Sequence, residues 1–350
     1  MTEIQIEASG SYAVKIGAGL LGRCGELAAP LLRGRRAVVC AGETVFPLYG
    51  ETVLKSLREA GFTAEACVYP AGESAKTPET LVYIINKLAE YGLTRADAVV
   101  ALGGGVSCDM AGLAAALYLR GVDCVLLPTT LLAAVDASVG GKTAVNLPAG
   151  KNQMGVFSQP RLVLCDTDSF RTLPDEVFAE GWAEVVKTAF LREGPLQKLL
   201  LDEAPETRLE EIVAACVRVK RDIVAADEFD RGERQLLNFG HTVGHAIERC
   251  SGYTWPHGMA VAVGMAVMTR ACAAKGLCGE DCLRTLETLL RRFALPERCP
   301  CGAEELLAAA AADKKRAGDR ITLVQPRRFG ECALVETDFA ALGEILALGL

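Results

Sequence analysis

The chain has few histidines and no excess of positive charge. Only three of its 350 residues are histidine, aromatic residues make up 6% of it, and its formal net charge at pH 7 is −7. This charge disfavours a nucleic-acid backbone or an anionic membrane as the partner, because both are bound through clustered basic residues. We therefore expect any anionic ligand to be met by local cations.

The sequence also lacks the marks of an exported or membrane-spanning chain. Its first residues contain neither a basic segment nor a long apolar one, and no uncharged run reaches the ~18 residues that a membrane helix needs. With fourteen cysteines, we expect reduced thiols and a cytoplasmic location. Cys299 with Cys301, and Cys278 with Cys282, could be zinc half-sites, but neither spacing fits a zinc-finger or zinc-ribbon pattern.

The pattern of apolar residues changes near residue 173. Before this point, short apolar runs alternate with helix-period segments, which predicts an α/β domain over 1–173 with a Rossmann-like parallel sheet. After it, helix-period segments dominate, and we expect a mostly helical domain over 174–350. The predicted strands are 36–40, 66–69, 98–102, 122–127 and, alone in the second half, 320–325. The predicted helices are 45–60, 78–91, 108–119, 175–192, 196–202, 206–227, 233–250, 258–275, 280–293 and 303–312.

All three histidines lie within one stretch of 17 residues. His241 and His245 are four residues apart, so on a helix they share a face and could chelate one ion. His257 precedes the next predicted helix and could join them. Three protein ligands and an open position are the pattern of a catalytic metal. The alternative is that each histidine is an ordinary one satisfied by hydrogen bonds.

Two charged residues interrupt an apolar helix in the segment Gly181–Lys187. Glu184 and Lys187 are three residues apart among Trp, Ala and Val. Because an unpaired buried charge is costly, this placement predicts a functional role for both side chains. A simple helical ion pair is the alternative.

Two glycine-rich stretches indicate a bound anion. Gly103–Gly105 lie between a predicted buried strand and a helix, where backbone amides can bind phosphate. The second stretch contains Lys142 and leads to Lys151. Neither has the GxGxxG or GxxxxGK[ST] spacing, so the sequence disfavours ordinary ATP hydrolysis, and a plain tight turn remains an alternative for the first.

Taken in order, these segments resemble the 3-dehydroquinate synthase family over almost the whole chain. The resemblance is carried by GESAK at 72–76, GGGVSCDMAG at 103–112, LPTTLLAAVDASVGGKT at 127–143, GKN at 150–152, GWAEVVK at 181–187, RQLLNFGHTVGHAIE at 234–248, HG at 257–258 and DKK at 313–315. The ordered series is far more specific than any single motif.

The resemblance implies NAD and a divalent metal, zinc or cobalt, in a cleft between a Rossmann-like N-terminal domain and a helical C-terminal one. The implied metal ligands are Glu184, His241 and His257, in place of the pair His241 and His245. The implied NAD-binding residues are Glu73, Lys76, Gly104, Gly105, Val106, Asp109, Thr129, Thr130, Lys151 and Thr172. The implied catalytic residues are Lys142, Asn152, Lys187, Lys220, Arg234, Asn238 and His245, with further substrate contacts from Arg120, Asp136 and one or both of Lys314 and Lys315.

The resemblance also implies a reaction and an assembly. A homodimer would convert the sugar phosphate 3-deoxy-D-arabino-heptulosonate 7-phosphate to 3-dehydroquinate and phosphate, as a carbon-oxygen lyase of the shikimate pathway to aromatic amino acids. In the family, the substrate phosphate is thought to take the C6 proton itself. One departure is Gly42, where the family usually has an acid that receives the adenosine ribose, and Glu43 is a candidate substitute.

Other functions remain open from the sequence. A polyol dehydrogenase of the glycerol dehydrogenase type would share the glycine run, the fold and a metal site, but it would not need this set of cations because its substrate has no phosphate. Related sugar-phosphate cyclases that make inosose or valiolone products differ only in pocket residues. A zinc-stabilised interaction domain would leave the glycine run unexplained.

Overall fold

The computed structural model describes residues 1–314 and 320–350. Its strands are β1 Thr2–Ile6, β2 Tyr12–Gly17, β3 Arg36–Gly42, β4 Thr63–Tyr69, β5 Ala98–Gly103, β6 Asp123–Pro128, β7 Lys142–Leu147, β8 Gly150–Phe157, β9 Leu162–Asp166, β10 Arg320–Arg328 and β11 Glu331–Asp338. Its helices are α1 Cys24–Ala28, α2 Glu51–Glu59, α3 Pro78–Glu90, α4 Gly105–Leu117, α5 Asp175–Leu191, α6 Pro195–Leu201, α7 Leu209–Ala226, α8 His241–Cys250, α9 His257–Ala274, α10 Glu280–Arg292, α11 Ala303–Lys314 and α12 Phe339–Gly349.

The chain divides into two compact units. The first comprises Met1–Leu173 with Leu209–Glu228, and the second comprises Pro174–Arg208 with Phe229–Leu350. The predicted boundary near residue 173 places 209–228 in the helical domain. In the structure, α7 from this segment packs against β1 and β2 of the first unit, because its apolar face is buried there. A single boundary in the sequence cannot describe this arrangement, because α7 follows the boundary in sequence but packs in the first unit.

A seven-stranded sheet forms the core of the first unit. Its strand order is β1-β2-β9-β6-β5-β3-β4, with β1 and β2 antiparallel and the other neighbours parallel. This confirms the predicted Rossmann-like parallel sheet. The carboxyl ends of parallel strands lie at one edge, so Gly42, Gly103 and Asp166 end their strands on the edge where ligands bind in such folds.

Helix α9 is the central element of the mostly helical second unit. It packs against α5, α8, α10 and α12. Its length and apolar composition are those of a membrane-spanning helix, but 72% of it is buried within the protein, as is typical of a core helix. The predicted helical character of this unit is confirmed.

Two predictions for the second unit are wrong. The helix expected over 233–250 is broken: a 3₁₀ helix covers Glu233–Asn238, and Gly240, in the left-handed region at φ 79°, precedes α8. The single strand expected at 320–325 is half of a hairpin, because Gly330 at φ 93° turns the chain into β11. Glycine is the residue that adopts such φ values without strain.

Glycines allow α8 and α9 to pack with their backbones in contact. A methyl group added at Gly244 would lie 3.2 Å from the Cα of Val261, and one added at Gly264 would meet the carbonyl oxygen of Gly240 and lie 3.0 Å from the nitrogen of Gly244. Larger side chains would therefore separate the helices that begin with His241 and His257.

We predict that Gly264→Ala lowers the midpoint of thermal unfolding. Alanine is a better helix former than glycine by about 1 kcal/mol, but overpacking a tight contact costs about 1–3 kcal/mol. We expect the cost of overpacking to exceed the gain in helix propensity. Gly194→Ala is the matched control, because nothing lies within 4 Å of an added methyl group there. An unchanged midpoint for Gly264→Ala would show that the two helices separate at no cost.

Candidate functional site

Three side chains expected to bind metal lie together in the second unit. Oε1 of Glu184 is 3.7 Å from Nε2 of His241 and 3.7 Å from Nε2 of His257. The ligand atoms of the three residues all lie within 4.8 Å of one another. Ligand atoms around a tetrahedral zinc ion are roughly 3.3 Å apart, given bonds of about 2.0–2.1 Å. Two imidazoles and a carboxylate at this spacing suit a divalent transition metal and leave a coordination position open.

Helix ends position these ligands. His241 is the first residue of α8 and His257 the first residue of α9. Gly258 then allows α9 to begin against α5, because a side chain there would meet the backbone of Glu180. Glu180 is one helical turn before Glu184, so this contact brings His257 to the carboxylate.

Both histidine rings are oriented by acceptors on their Nδ1 side. Nδ1 of His241 is 3.2 Å from the carbonyl oxygen of Phe239, and Nδ1 of His257 is 3.4 Å from Oε1 of Glu248. A proton on Nδ1 leaves the lone pair on Nε2, the nitrogen that faces Glu184 in both cases. This is the usual arrangement of histidines that bind metals.

The carboxylate of the cluster is buried and paired with a lysine, whereas the two imidazoles are partly exposed. Glu184 is fully buried, and its carboxylate contacts the ammonium of Lys187, which is 1% exposed. Burial lowers the pKa of His241 well below its usual range, and the charge of Lys187 and the two other imidazoles lower it further. His241 is therefore neutral near pH 7, which is the form that can bind a metal.

His245 lies beside this cluster on a more exposed face of α8. Its ring centroid is 5.4 Å from that of His241 and 5.9 Å from that of His257. Its ligand atom forms a second compact group with Glu248 and His257. Within the described part of the chain, no such group of three or more ligands contains both His241 and His245.

The other predicted residues of the second unit precede α8 or follow α11. Arg234 is 1% exposed in the 3₁₀ helix, and Asn238 is half-buried at its end. Lys314 is the last residue of α11. Lys315 and the side chain of Lys314 lie outside the described residues.

A buried lysine joins two predicted residues in the first unit. Nζ of Lys76 is 2.5 Å from Oδ2 of Asp109 and 2.5 Å from Oδ1 of Asn152. Burial raises the pKa of the Asp109 carboxyl, and the charge of Lys76 opposes that rise. Nearby, Glu73 accepts a hydrogen bond from the side-chain amide of Asn146 at 2.8 Å and lies 3.9 Å from Nζ of Lys151.

The glycine run forms a backbone site at the carboxyl end of β5. Gly103 has φ 147°, and α4 begins at Gly105, so the first-turn amides, including that of Val106, are at this edge. Thr129 donates its backbone N–H to the carbonyl of Gly103 at 2.9 Å. There is little space for a side chain at Gly104, because a methyl group added there would lie 3.1 Å from Cγ2 of Thr130.

Further predicted residues of the first unit lie on α7, at the start of β7 and in two short helices, Ala133–Ala137 and Thr167–Thr172. Nζ of Lys220, on α7, donates to the carbonyl oxygen of Asp136 at 2.5 Å and contacts its carboxylate. Lys142 is exposed at the start of β7. The hydroxyl of Thr172 contacts that of Tyr49.

Arg120 is not brought together with the other predicted residues of its unit. It is exposed after α4, which runs from the carboxyl end of β5 to the segment before β6, so Arg120 lies at the opposite edge of the sheet. Leu119, Arg120 and Gly121 have φ values of 51°, 67° and 117°. Consecutive positive φ values at non-glycine residues store strain, which often marks a functional segment.

Glu248 and Asn146 contact predicted site residues but are not among the residues predicted from the sequence. Glu248 follows His241 by seven residues and His245 by three, a spacing that places all three on one face of α8. Asn146 accepts the backbone N–H of Asn152 at 2.8 Å and donates to Glu73. Helical spacing could have revealed Glu248, whereas the role of Asn146 depends on the β7–β8 turn.

Comparison with known sequences gives matches over most of the chain. The family model described as "3-dehydroquinate synthase N-terminal" matches residues 66–180, and "3-dehydroquinate synthase C-terminal" matches 181–316. A 3-dehydroquinate synthase of Xanthomonas campestris pv. campestris (strain 8004) is 43% identical over 99% of this chain and 98% of the relative.

Solved structures similar to this chain include two sugar-phosphate cyclases. A 2-deoxy-scyllo-inosose synthase complexed with carbaglucose-6-phosphate, NAD+ and Co2+ has a TM-score of 0.90 and 25% identity, and all of both chains is covered. ValA, a 2-epi-5-epi-valiolone synthase from Streptomyces hygroscopicus subsp. jinggangensis 5008 with NAD+ and Zn2+ bound, has a TM-score of 0.86 and 28% identity. That match covers 99% of this chain and 97% of the other.

We predict that Glu184→Gln, His241→Ala and His257→Ala each lower metal content, because each removes one of the clustered ligand atoms. His245→Ala is the matched control and should retain metal while losing activity. Metal analysis after dialysis measures the content of each variant. If His245→Ala lost the metal and His257→Ala kept it, the chelating pair at 241 and 245 would be the site.

Proposed function

The chain belongs to the 3-dehydroquinate synthase family, and from this premise we propose that it converts 3-deoxy-D-arabino-heptulosonate 7-phosphate to 3-dehydroquinate and inorganic phosphate. This reaction is a carbon-oxygen lyase step of the shikimate pathway to aromatic amino acids. The observation that supports it most strongly is the similarity to 3-dehydroquinate synthases over 99% of the chain, and the cluster of Glu184, His241 and His257 agrees with it.

We propose that the protein uses a divalent metal, zinc or cobalt, and NAD. The clustered carboxylate and imidazole atoms suit the metal, and the glycine-lined start of α4 suits a dinucleotide phosphate. When bound, the metal polarises substrate hydroxyl groups and NAD supplies a reversible two-electron oxidation. The first-turn amides at Gly104–Val106 would bind the phosphate, and the Lys76–Asp109 pair would orient the cofactor.

In the second unit, we propose that polar side chains near the cluster act on the substrate. The exposed imidazole of His245 would exchange a proton with a substrate hydroxyl. Arg234 would bind an anionic group through paired hydrogen bonds, and Asn238 would orient a hydroxyl. Lys187 contacts the buried carboxylate of Glu184 and provides positive charge beside it.

In the first unit, we propose that cations bind and orient the anionic groups of the substrate. Lys142, Asn152 and Lys220 are the candidates, and Asp136 holds the ammonium of Lys220 in place before substrate binds. A phosphate oriented in this way can itself accept the proton next to a ketone, so the site needs cations more than a protein base.

We propose a homodimer in the cytoplasm. The location is supported by the fourteen cysteines, all of which lie in the described part of the chain and none of which forms a disulfide, as is typical of a reducing compartment. The dimer is inferred from the family alone, and sedimentation of the purified protein measures it.

We predict that Gly42→Asp tightens NAD binding. Gly42 ends β3, next to β5 and its glycine loop, where an acid commonly accepts the ribose hydroxyls. A methyl group at Gly42 would lie at an ordinary 3.5 Å from Ala71, so a side chain fits. A charge-assisted hydrogen bond is worth about 1.5–3 kcal/mol, or roughly ten-fold or more in Kd by calorimetry. Unchanged or weaker binding would show that this loop does not contact the ribose.

The reaction itself gives the decisive test. We expect one phosphate and one 3-dehydroquinate per substrate molecule, no net NADH absorbance, and many turnovers from a trace of NAD. A polyol dehydrogenase would instead form one NADH per substrate and release no phosphate, and that result would refute the proposal.

Two variants test the assigned cations within this reaction. We expect Lys220→Ala and Arg234→Ala to lose most of the turnover, because phosphate must be oriented for proton transfer and departure. Lys55→Ala is the matched control, since Lys55 is an exposed lysine of α2. Circular dichroism spectra must show that all three variants are folded. Full activity in a folded Lys220→Ala or Arg234→Ala variant would contradict the role assigned to that residue.

A further inference from the structure

The imidazole of His257 lies between two buried carboxylates. Its Nε2 is 3.7 Å from Oε1 of Glu184, and its Nδ1 is 3.4 Å from Oε1 of Glu248. Glu184 is fully buried and Glu248 is 1% exposed. The two ring nitrogens therefore face different carboxylates, and only Nε2 faces the cluster that contains His241.

Glu248 reaches His257 because of the way in which α8 and α9 pack. Gly240, Gly244 and Glu248 are spaced four residues apart, so they form one stripe along α8. Gly240 and Gly244 contact α9 at Val261 and Gly264. The helices are consecutive and antiparallel, so the next position of the stripe meets the start of α9, where His257 lies.

We propose that Glu248 is a positioning residue for the metal site. It accepts the Nδ1 proton of His257, which fixes the tautomer with the lone pair on Nε2, holds the ring toward Glu184 and increases the basicity of Nε2. This inference rests on the proposed function, in that Glu184, His241 and His257 bind the ion. Carboxylates in this position commonly orient metal-binding histidines.

A different role is chemically possible for the same residues. The ligand atoms of His245, Glu248 and His257 also lie within 4.8 Å of one another. If Glu248 were itself a ligand, His257 would face a second ion through Nδ1, and the chain would bind two ions. If Glu248 only positions His257, the chain binds one ion, and substitution of Glu248 lowers the affinity of the site for that ion.

The test is a Co2+ titration of the full-length protein after removal of metal, with a competing chelator and the visible absorption spectrum as readouts. We expect one Co2+ per wild-type chain. Glu248→Gln keeps the shape of the side chain but removes its charge, so Kd should rise about 10–100-fold and the absorption bands should shift. Glu287→Gln is the matched control: Glu287 is a partly buried carboxylate of the same unit, paired with Arg270 at 3.1 Å, and its loss should change neither readout.

Each other outcome overturns the inference in a recognisable way. Unchanged Kd and spectrum in a folded Glu248→Gln variant would show that Glu248 does not position the histidine. Two Co2+ per wild-type chain, one of them lost in this variant, would make Glu248 a ligand. Failure of the wild-type chain to bind Co2+, or full binding by Glu184→Gln, would instead refute the metal site of the proposed function, and the positioning role with it.

Discussion

Backbone contact between α8 and α9 is the constraint on which the geometry of the metal cluster depends. Helices usually pack with axes about 8–10 Å apart, and the shorter distances require small residues at the contact. Gly240, Gly244 and Gly264 provide them, since added methyl groups would meet backbone atoms of the partner helix. Because His241 and His257 begin these two helices, the helix separation also sets the distance of each imidazole from Glu184.

A buried ion pair accompanies the metal cluster. The carboxylate of Glu184 contacts the ammonium of Lys187, and burial favours the neutral form of His241. A buried ion pair of this kind contributes little to stability, because desolvation offsets the attraction. Its presence on an apolar helix is therefore better explained by function. A divalent ion would leave an uncompensated positive charge, which favours an anionic substrate and ionised hydroxyl groups.

Local sequence signals predicted most of the described helices but fewer than half of the described strands, and they did not predict which elements pack together. The helix predicted over 78–91 is α3, and the side chain of Thr77 caps it by accepting the N–H of Thr80 at 3.3 Å. By contrast, the helical spacing of apolar residues continues through Gly240. The left-handed φ of Gly240 separates the 3₁₀ helix from α8 within the segment 233–250. The packing of α7 in the first unit depends on residues distant in sequence, and the contact of Glu248 with His257 depends on how α8 packs against α9. Periodicity carries no information about such contacts, whereas resemblance to a family indicated Glu184, His241 and His257 together.

The metal cluster alone does not specify the reaction. A metal ion beside an alcohol and a nicotinamide cofactor serves polyol oxidation as well as the first step of a cyclase. A cyclase differs from a polyol dehydrogenase in needing cationic side chains that bind the phosphate and carboxylate of its substrate. Here those cations occur in a chain whose net charge is −7. Lys220 is held by Asp136, so its ammonium is oriented before a ligand arrives, and a bound anion competes with that carboxylate for it. This competition lowers the affinity of the site for the anion, but it fixes the direction from which the ammonium contacts it. Elimination of a phosphate group requires a fixed orientation of that group.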